Sequence, residues 1–494
     1  MKHLLKQALL LILTIGLSLP TFGQSKKSDL KILYVGTNPD KPISERDLKY
    51  STNPDRKLAL QKKRASDFES FLNRYFETVT TIYGADFKET MSADYDVTII
   101  DAYLTPFTGG YEKDKNGQIL GYKTRQYLTK SFNHATIMIG EPSAFIGEGR
   151  ELKIDHLCLC LDAHAHGMKL EHPIFNTPNK ITITYEKQKV PSNYKARYGG
   201  RDLRETMPMW RMQTEGYEDG KGFPIGLVST GYAFENGIDA EWISSGKCAK
   251  GVEATAIGRH ANFFHWGFAA APEYMTDSAK LTFINAIHYI APFKGAKQIT
   301  RKIKRIPLRE YTREQQWTVS DRGAKAWLHY INKDTLKSKE EKLKLQAKKE
   351  AGKTLSELEK MKLQMPIRKE TREWTIRHEP QDLKDKFGNN WKAYEERYKE
   401  NMNYFYPLPY KHYYQNAIDE DAKALGIPNN DIKLIDTAIK MLKKGGDVAM
   451  AKRILTRYTN ENFKTEKEWV KWFKKNRNKL YFSEGDGYKY IILP

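Results

Sequence analysis

The sequence predicts an α/β fold, a layered body with a mainly parallel sheet, followed by a basic all-helical C-terminal region. Three observations carry this. Short β-branched and aliphatic runs alternate with amphipathic helical runs over residues 29–293. Charge is unevenly divided: of 82 Lys+Arg and 61 Asp+Glu, residues 291–494 hold 46 and 28, which leaves the front of the chain near +3 and the tail at +18. The last hundred residues repeat apolar side chains at helical spacing.

The elements follow in order. Residues 1–23 read as a secretory signal peptide: Lys2 and Lys6 precede an apolar stretch at 9–19, and Thr21 and Gly23 place small residues before a cut at Gln24. The stretch is too short for a lasting membrane span, so a secreted or periplasmic protein is expected. Residues 29–36 (DLKILYVG) form a buried first strand, and 64–76 an amphipathic helix facing inward through Phe68, Phe71, Leu72 and Tyr75. Residues 96–101, 135–140 and 156–161 supply further strands, 180–185 an edge strand, and 253–258 with 261–266 a pair. Thr276 caps a helix over 277–290. Residues 105–131 and 193–222 read as long loops, a rim or lid over a pocket. Residues 294–390 form a basic charged helical linker, and 391–494 a small helical domain with helices at 431–444, 447–458 and 466–476.

Candidate chemistry gathers in the near-neutral front. Asp162, His164 and His166 follow an apolar strand, and residues two apart in extended chain share a face, so the three converge on one divalent metal, zinc, or stand as hydrogen-bonded side chains. His265 is a candidate acid or base, with His164 as a second catalytic candidate. Arg259 and Asn262 would hold a hydroxylated or anionic substrate, and Trp210, Tyr217 and Trp266 would stack on sugar rings; for each aromatic, core packing is the alternative. Cys158 and Cys160 read as packed thiols, and Cys248, between Lys247 and Lys250, as an exposed one. No Gly-rich phosphate loop opens a helix, so no nucleotide cofactor is expected.

The residues 29–293 resemble a trehalose-utilisation (ThuA-like) domain, a branch of the class I glutamine amidotransferase-like fold. The carriers are residues 32–36 (ILYVG), 95–101 (YDVTIID), 169–174 (KLEHPI) and 257–265 (IGRHANFFH), followed by the helix at 279–290. The resemblance implies a flavodoxin-like three-layer sandwich and a place in sugar metabolism. It does not imply glutaminase chemistry, because residues 140–144 (GEPSA) lack the Gly-x-Cys-x-Gly elbow. The tail from 431, with 451–458 (AKRILTRY) and 469–473 (WVKWF), resembles HEAT-like helical repeats.

Two functions follow as expectations. The first is a secreted or periplasmic protein that acts on or binds a carbohydrate or small-molecule ligand at the carboxyl edge of the sheet. The second is a non-catalytic module that docks a protein or an acidic polymer through its basic tail. Nucleic acid is not an expected partner, because acids interleave the basic residues of the tail.

Overall fold

A computed structural model describes residues 26–494 apart from 44, 46–47, 49–52, 217–223, 236, 368 and 411–412; the signal-peptide residues and Tyr217 lie outside the described residues. Its centre is a ten-stranded sheet. Strand β1 (Ser28–Gly36) buries residues 32–36 on both faces, as a central strand does. Asn53 caps helix α1 (Pro54–Leu72), accepting the Arg56 N–H, with Pro54 opening the first turn. Then come β2 (Phe76–Tyr83), β3 (Val97–Ile100), the hairpin β4 (Thr108–Lys113) and β5 (Ile119–Gln126), β6 (Thr136–Ile139), and helix α2 (Pro142–Arg150). Strands β7 (Cys158–Leu161), β8 (His164–His166), β9 (Tyr185–Lys189), β10 (Thr206–Arg211), β11 (Gly226–Val228), β12 (Ala240–Gly246), β13 (Thr255–His260) and β14 (Phe263–Trp266) complete the body with helix α3 (Asp277–Ile290).

The sheet order is β2-β1-β3-β6-β14-β13-β12-β8-β10-β9. The first five strands are parallel. The pairings beyond β14 are all antiparallel, so the sheet is mixed. Chain length explains the change: two residues join β13 to β14 and eight join β12 to β13, too few for the crossover a parallel pair needs. Side chains of β1 alternate between two cores. Ile32 and Tyr34 join Phe68, Phe71 and Phe283 under α1 and α3, while Leu33 and Val35 join Ile146, Phe132 and Phe263 beneath α2.

The structure revises the expected loops and edge strand. Residues 105–131 contain the β4–β5 hairpin and 193–222 contain β10, a full member of the sheet. The edge strand forms at Tyr185–Lys189, just after the expected position. Cys158 and Cys160 are joined in a disulfide, not packed as separate thiols, and Cys248 is buried, not exposed.

The tail is helical but not all-helical. Among its helices are α4 (Arg309–Val319), α5 (Asp321–Glu350), α6 (Lys433–Lys444), α7 (Val448–Tyr458) and α8 (Glu466–Asn476), and α6 to α8 enclose a core with Trp469 and Tyr458. Two hairpins interrupt them, β15 (Phe405–Tyr410) with β16 (Tyr413–Ile418), and β17 (Leu480–Ser483) with β18 (Lys489–Ile492). Pro407 and Pro409 disguise the first as loop sequence.

The expected linker begins as a strap tied to the body. The Ile299 N–H and Thr300 hydroxyl donate to Asp239 at 2.6 Å each, Arg301 pairs with Glu151 and Asp486, and Lys302 pairs with Asp155. Further on, the Trp317 indole donates to the Ala196 carbonyl at 2.8 Å. Among the described residues, no helix is long and apolar enough to cross a membrane.

Candidate functional site

Asp162, His164 and His166 stand together at β8 but serve three different partners. His164 Nε2 lies 3.0 Å from Glu186 on the edge strand β9, and Arg211 Nε donates to the same carboxylate at 2.9 Å. Arg211 first, then His164, holds the Glu186 carboxyl down to about 2. His166 Nε2 lies 3.1 Å from the Tyr194 hydroxyl, which donates to the Gly246 carbonyl. Burial pushes the His166 imidazole down to about 4. Asp162 Oδ2 sits 3.0 Å from Lys247 Nζ. Among the described residues, no group of three His, Cys, Asp or Glu side chains is arranged to hold a metal, and the three side chains are each paired with a different residue.

His265 is sealed in β14 at 0% exposure. Its Nδ1 lies 2.9 Å from Ser143 Oγ, and the same hydroxyl lies 2.5 Å from the Gly140 carbonyl. Burial pushes the ring down to about 4. Ser143 is equally sealed. The turn from β6 into α2 has the strand–turn–helix form of a nucleophile elbow, but the residue with positive φ is Gly140, at 59°, which carries no nucleophile. This Ser–His pair ties the elbow to the sheet.

The expected substrate contacts fall apart in space. Arg259 and Asn262 lie at the amino edge of the parallel strands, around the β13–β14 turn. Arg259 is buried and pairs with Glu241 at 2.9 Å, donates to the Ala261 carbonyl at 2.8 Å and rests 4.1 Å from the Phe293 ring centroid. Asn262 donates to the His134 carbonyl at 2.7 Å. Trp210 and Trp266 are core: Trp210 donates to Ser278 at 3.0 Å, and Trp266 packs edge-on against Phe283. None of these four side chains reaches solvent as a ligand contact must.

Two clusters missed by sequence reasoning occupy the carboxyl edge. Asp101, just past β3, receives Arg64 of α1 through two bonds of 2.6 and 2.7 Å, and the Tyr34 hydroxyl at 2.7 Å. Arg64 also donates to the Ala269 carbonyl at 2.7 Å, tying α1, β1, β3 and the end of β14 at one point. Beside it is a cluster open to solvent. Glu141, next after Gly140, takes a short hydrogen bond from the Tyr103 hydroxyl, and His156 Nε2 lies 3.9 Å from its other oxygen. Tyr103 is 51% exposed and meets Phe145 edge-on, with ring centroids 5.6 Å apart. Glu141 stands at the N-cap position of α2, with no side-chain capping bond. The available signal was an acid directly after a strand-ending glycine, a position that points outward at the carboxyl edge.

Comparison with family models, with curated proteins and with solved structures returns no match for this chain.

Proposed function

We propose that this is a secreted or periplasmic ThuA-like protein that binds, and acts on, a carbohydrate at the carboxyl edge of its sheet, without glutaminase activity. One observation carries the reading: the solvent-open group of Tyr103, Glu141 and His156 just beyond the glycine elbow. An exposed aromatic face beside a carboxylate and an imidazole suits a sugar ring, whose C–H face stacks while its hydroxyls take the polar groups. Glu141 and His156 are the pair that would exchange a proton with the ligand. The parallel order β2-β1-β3-β6-β14 supports the flavodoxin-like reading of the body, and the Cys158–Cys160 disulfide supports an oxidising compartment.

The test is calorimetric titration of the mature protein with a panel of neutral oligosaccharides, with chromatography of the products. Tyr103→Ala and Glu141→Gln should each weaken binding by about tenfold or more with the melting temperature retained. Equal affinity in both variants, or no binding across the panel, overturns the reading.

A further inference from the structure

The tail carries a groove of about 760 Å³ between the β15–β16 hairpin, α7 and the β17–β18 turn. Five cations line it, Arg301, Lys452, Arg453, Arg457 and Lys489, against one acid among the described residues, Asp486. That acid is already spent: Arg301 donates to one of its oxygens and Ser483 to the other. Lys489 closes the end of α7 by donating to the carbonyls of Thr456, Arg457 and Thr459.

Arg453 and Arg457 are one helical turn apart on α7 and are held from behind. Asp421 receives Arg453 through two bonds of 2.9 and 2.6 Å, and the buried Asp419 pairs with Arg457. This leaves Arg453 Nη1 and the Nε and Nη2 of Arg457 with no acceptor recorded among the described residues. Two guanidinium groups fixed at helical spacing, each with a free edge, suit anionic groups repeated along a chain. Lys452 is exposed beside them. The opposite wall is apolar and aromatic: Leu408 is 43% exposed, and Tyr406 lies under the Arg457 guanidinium at 4.8 Å.

The hairpin argues against one way of holding a peptide, strand addition. Pro407 and Pro409 alternate on β15 while its pairing with β16 runs unbroken from Phe405 to Tyr410, so the prolines occupy positions that face away from β16. The outer edge of β15 therefore offers no N–H at those two positions, and a peptide cannot add to it as a strand. A polysaccharide needs no such ladder.

We propose that this groove binds an anionic polysaccharide segment, one bearing uronate or sulfate groups, with Arg453, Arg457 and Lys452 taking the charges and Leu408 a ring face. The inference deepens the carbohydrate reading of the body and rests on it for the ligand class.

The experiment titrates the full mature chain with a polyuronate oligosaccharide, its carboxyl-reduced neutral counterpart and a polyglutamate peptide of equal charge. The test variant is Lys452→Glu/Leu408→Asp, two exposed positions, with its melting temperature measured alongside. The polyuronate should bind at least tenfold tighter than the neutral sugar at low salt, with the advantage shrinking as salt rises and lost in the variant. An advantage that survives the variant, or polyglutamate binding as tightly as polyuronate, overturns the proposal. Failure of the edge site reads differently: Tyr103→Ala then leaves neutral-sugar binding unchanged while the charge-dependent gain still follows Lys452.

Discussion

The Arg64 guanidinium meets the Asp101 carboxylate through two parallel bonds, and both side chains are almost wholly withdrawn from water. Burial works against the arginine charge, yet Asp101, opposite and bonded to it, holds Arg64 above its usual range. Removing one partner leaves a buried charge unanswered. Asp101→Asn should therefore cost about 3 kcal/mol of stability in urea unfolding, while Arg64→Met with Asp101→Leu should cost far less than the sum of the single changes.

Acid should unfold the protein through its sealed imidazoles. His166 and His265 stay neutral in the folded chain down to about pH 4, whereas an unfolded imidazole takes up its proton below about 6.5. Unfolding then binds protons between these values, so the stability is complete above the window and is lost as pH falls through it. Each histidine contributes up to about 1.4 kcal/mol per pH unit there. Urea midpoints measured from pH 7 to 4.5 should show this slope, and His265→Asn should remove one proton from it.

Lys153 titrates in the opposite quarter. Burial pushes its amine down to about 8, among backbone and carboxylates that join the body to the strap. Between about 8 and 10.5 the unfolded chain holds the extra proton, so stability should rise with pH over that span. Lys153→Met should abolish the rise and raise stability at pH 7 by about 2 kcal/mol, read from denaturant midpoints.

Thiol counting tests the disulfide. With Cys158 and Cys160 joined and Cys248 buried, its thiol pushed up by burial, the native protein should react slowly with a thiol reagent. Denatured without reductant it should yield one thiol per chain, and three after reduction. Three before reduction would remove the bridge.

The elbow offers a fifth measurement. Ser143→Ala strips His265 Nδ1 of its partner inside a sealed site and should cost about 1 to 3 kcal/mol. Ligand binding at Tyr103 should persist in that variant, since Ser143 does not reach the surface.

Much of the framework was legible because it rests on local pattern. Thr276 caps the helix Asp277–Ile290 as its sequence promises, and Gly445 ends α6 in the left-handed conformation. The mixed sheet was less legible, because β2 and β12 are partly exposed and lack a continuous apolar run. The site residues were least legible. Spacing put His164 and His166 on one face of β8, but their fates were set by Glu186 and Tyr194, which arrive from other elements. Glu141 is not legible in sequence because its chemistry depends on Tyr103 and His156, neighbours only after folding.

The strap over residues 299–302 governs how the molecule comes apart. Asp239, Glu151 and Asp155 of the body hold it from one side, while Asp486, between the last two strands, grips Arg301 from the other. The body and the C-terminal hairpin are thus clasped to the same strap, and neither can melt without releasing charges that the other had neutralised. Heating should give a single calorimetric transition whose enthalpy matches its sharpness, and protease should find no early cut where composition alone marks a basic linker.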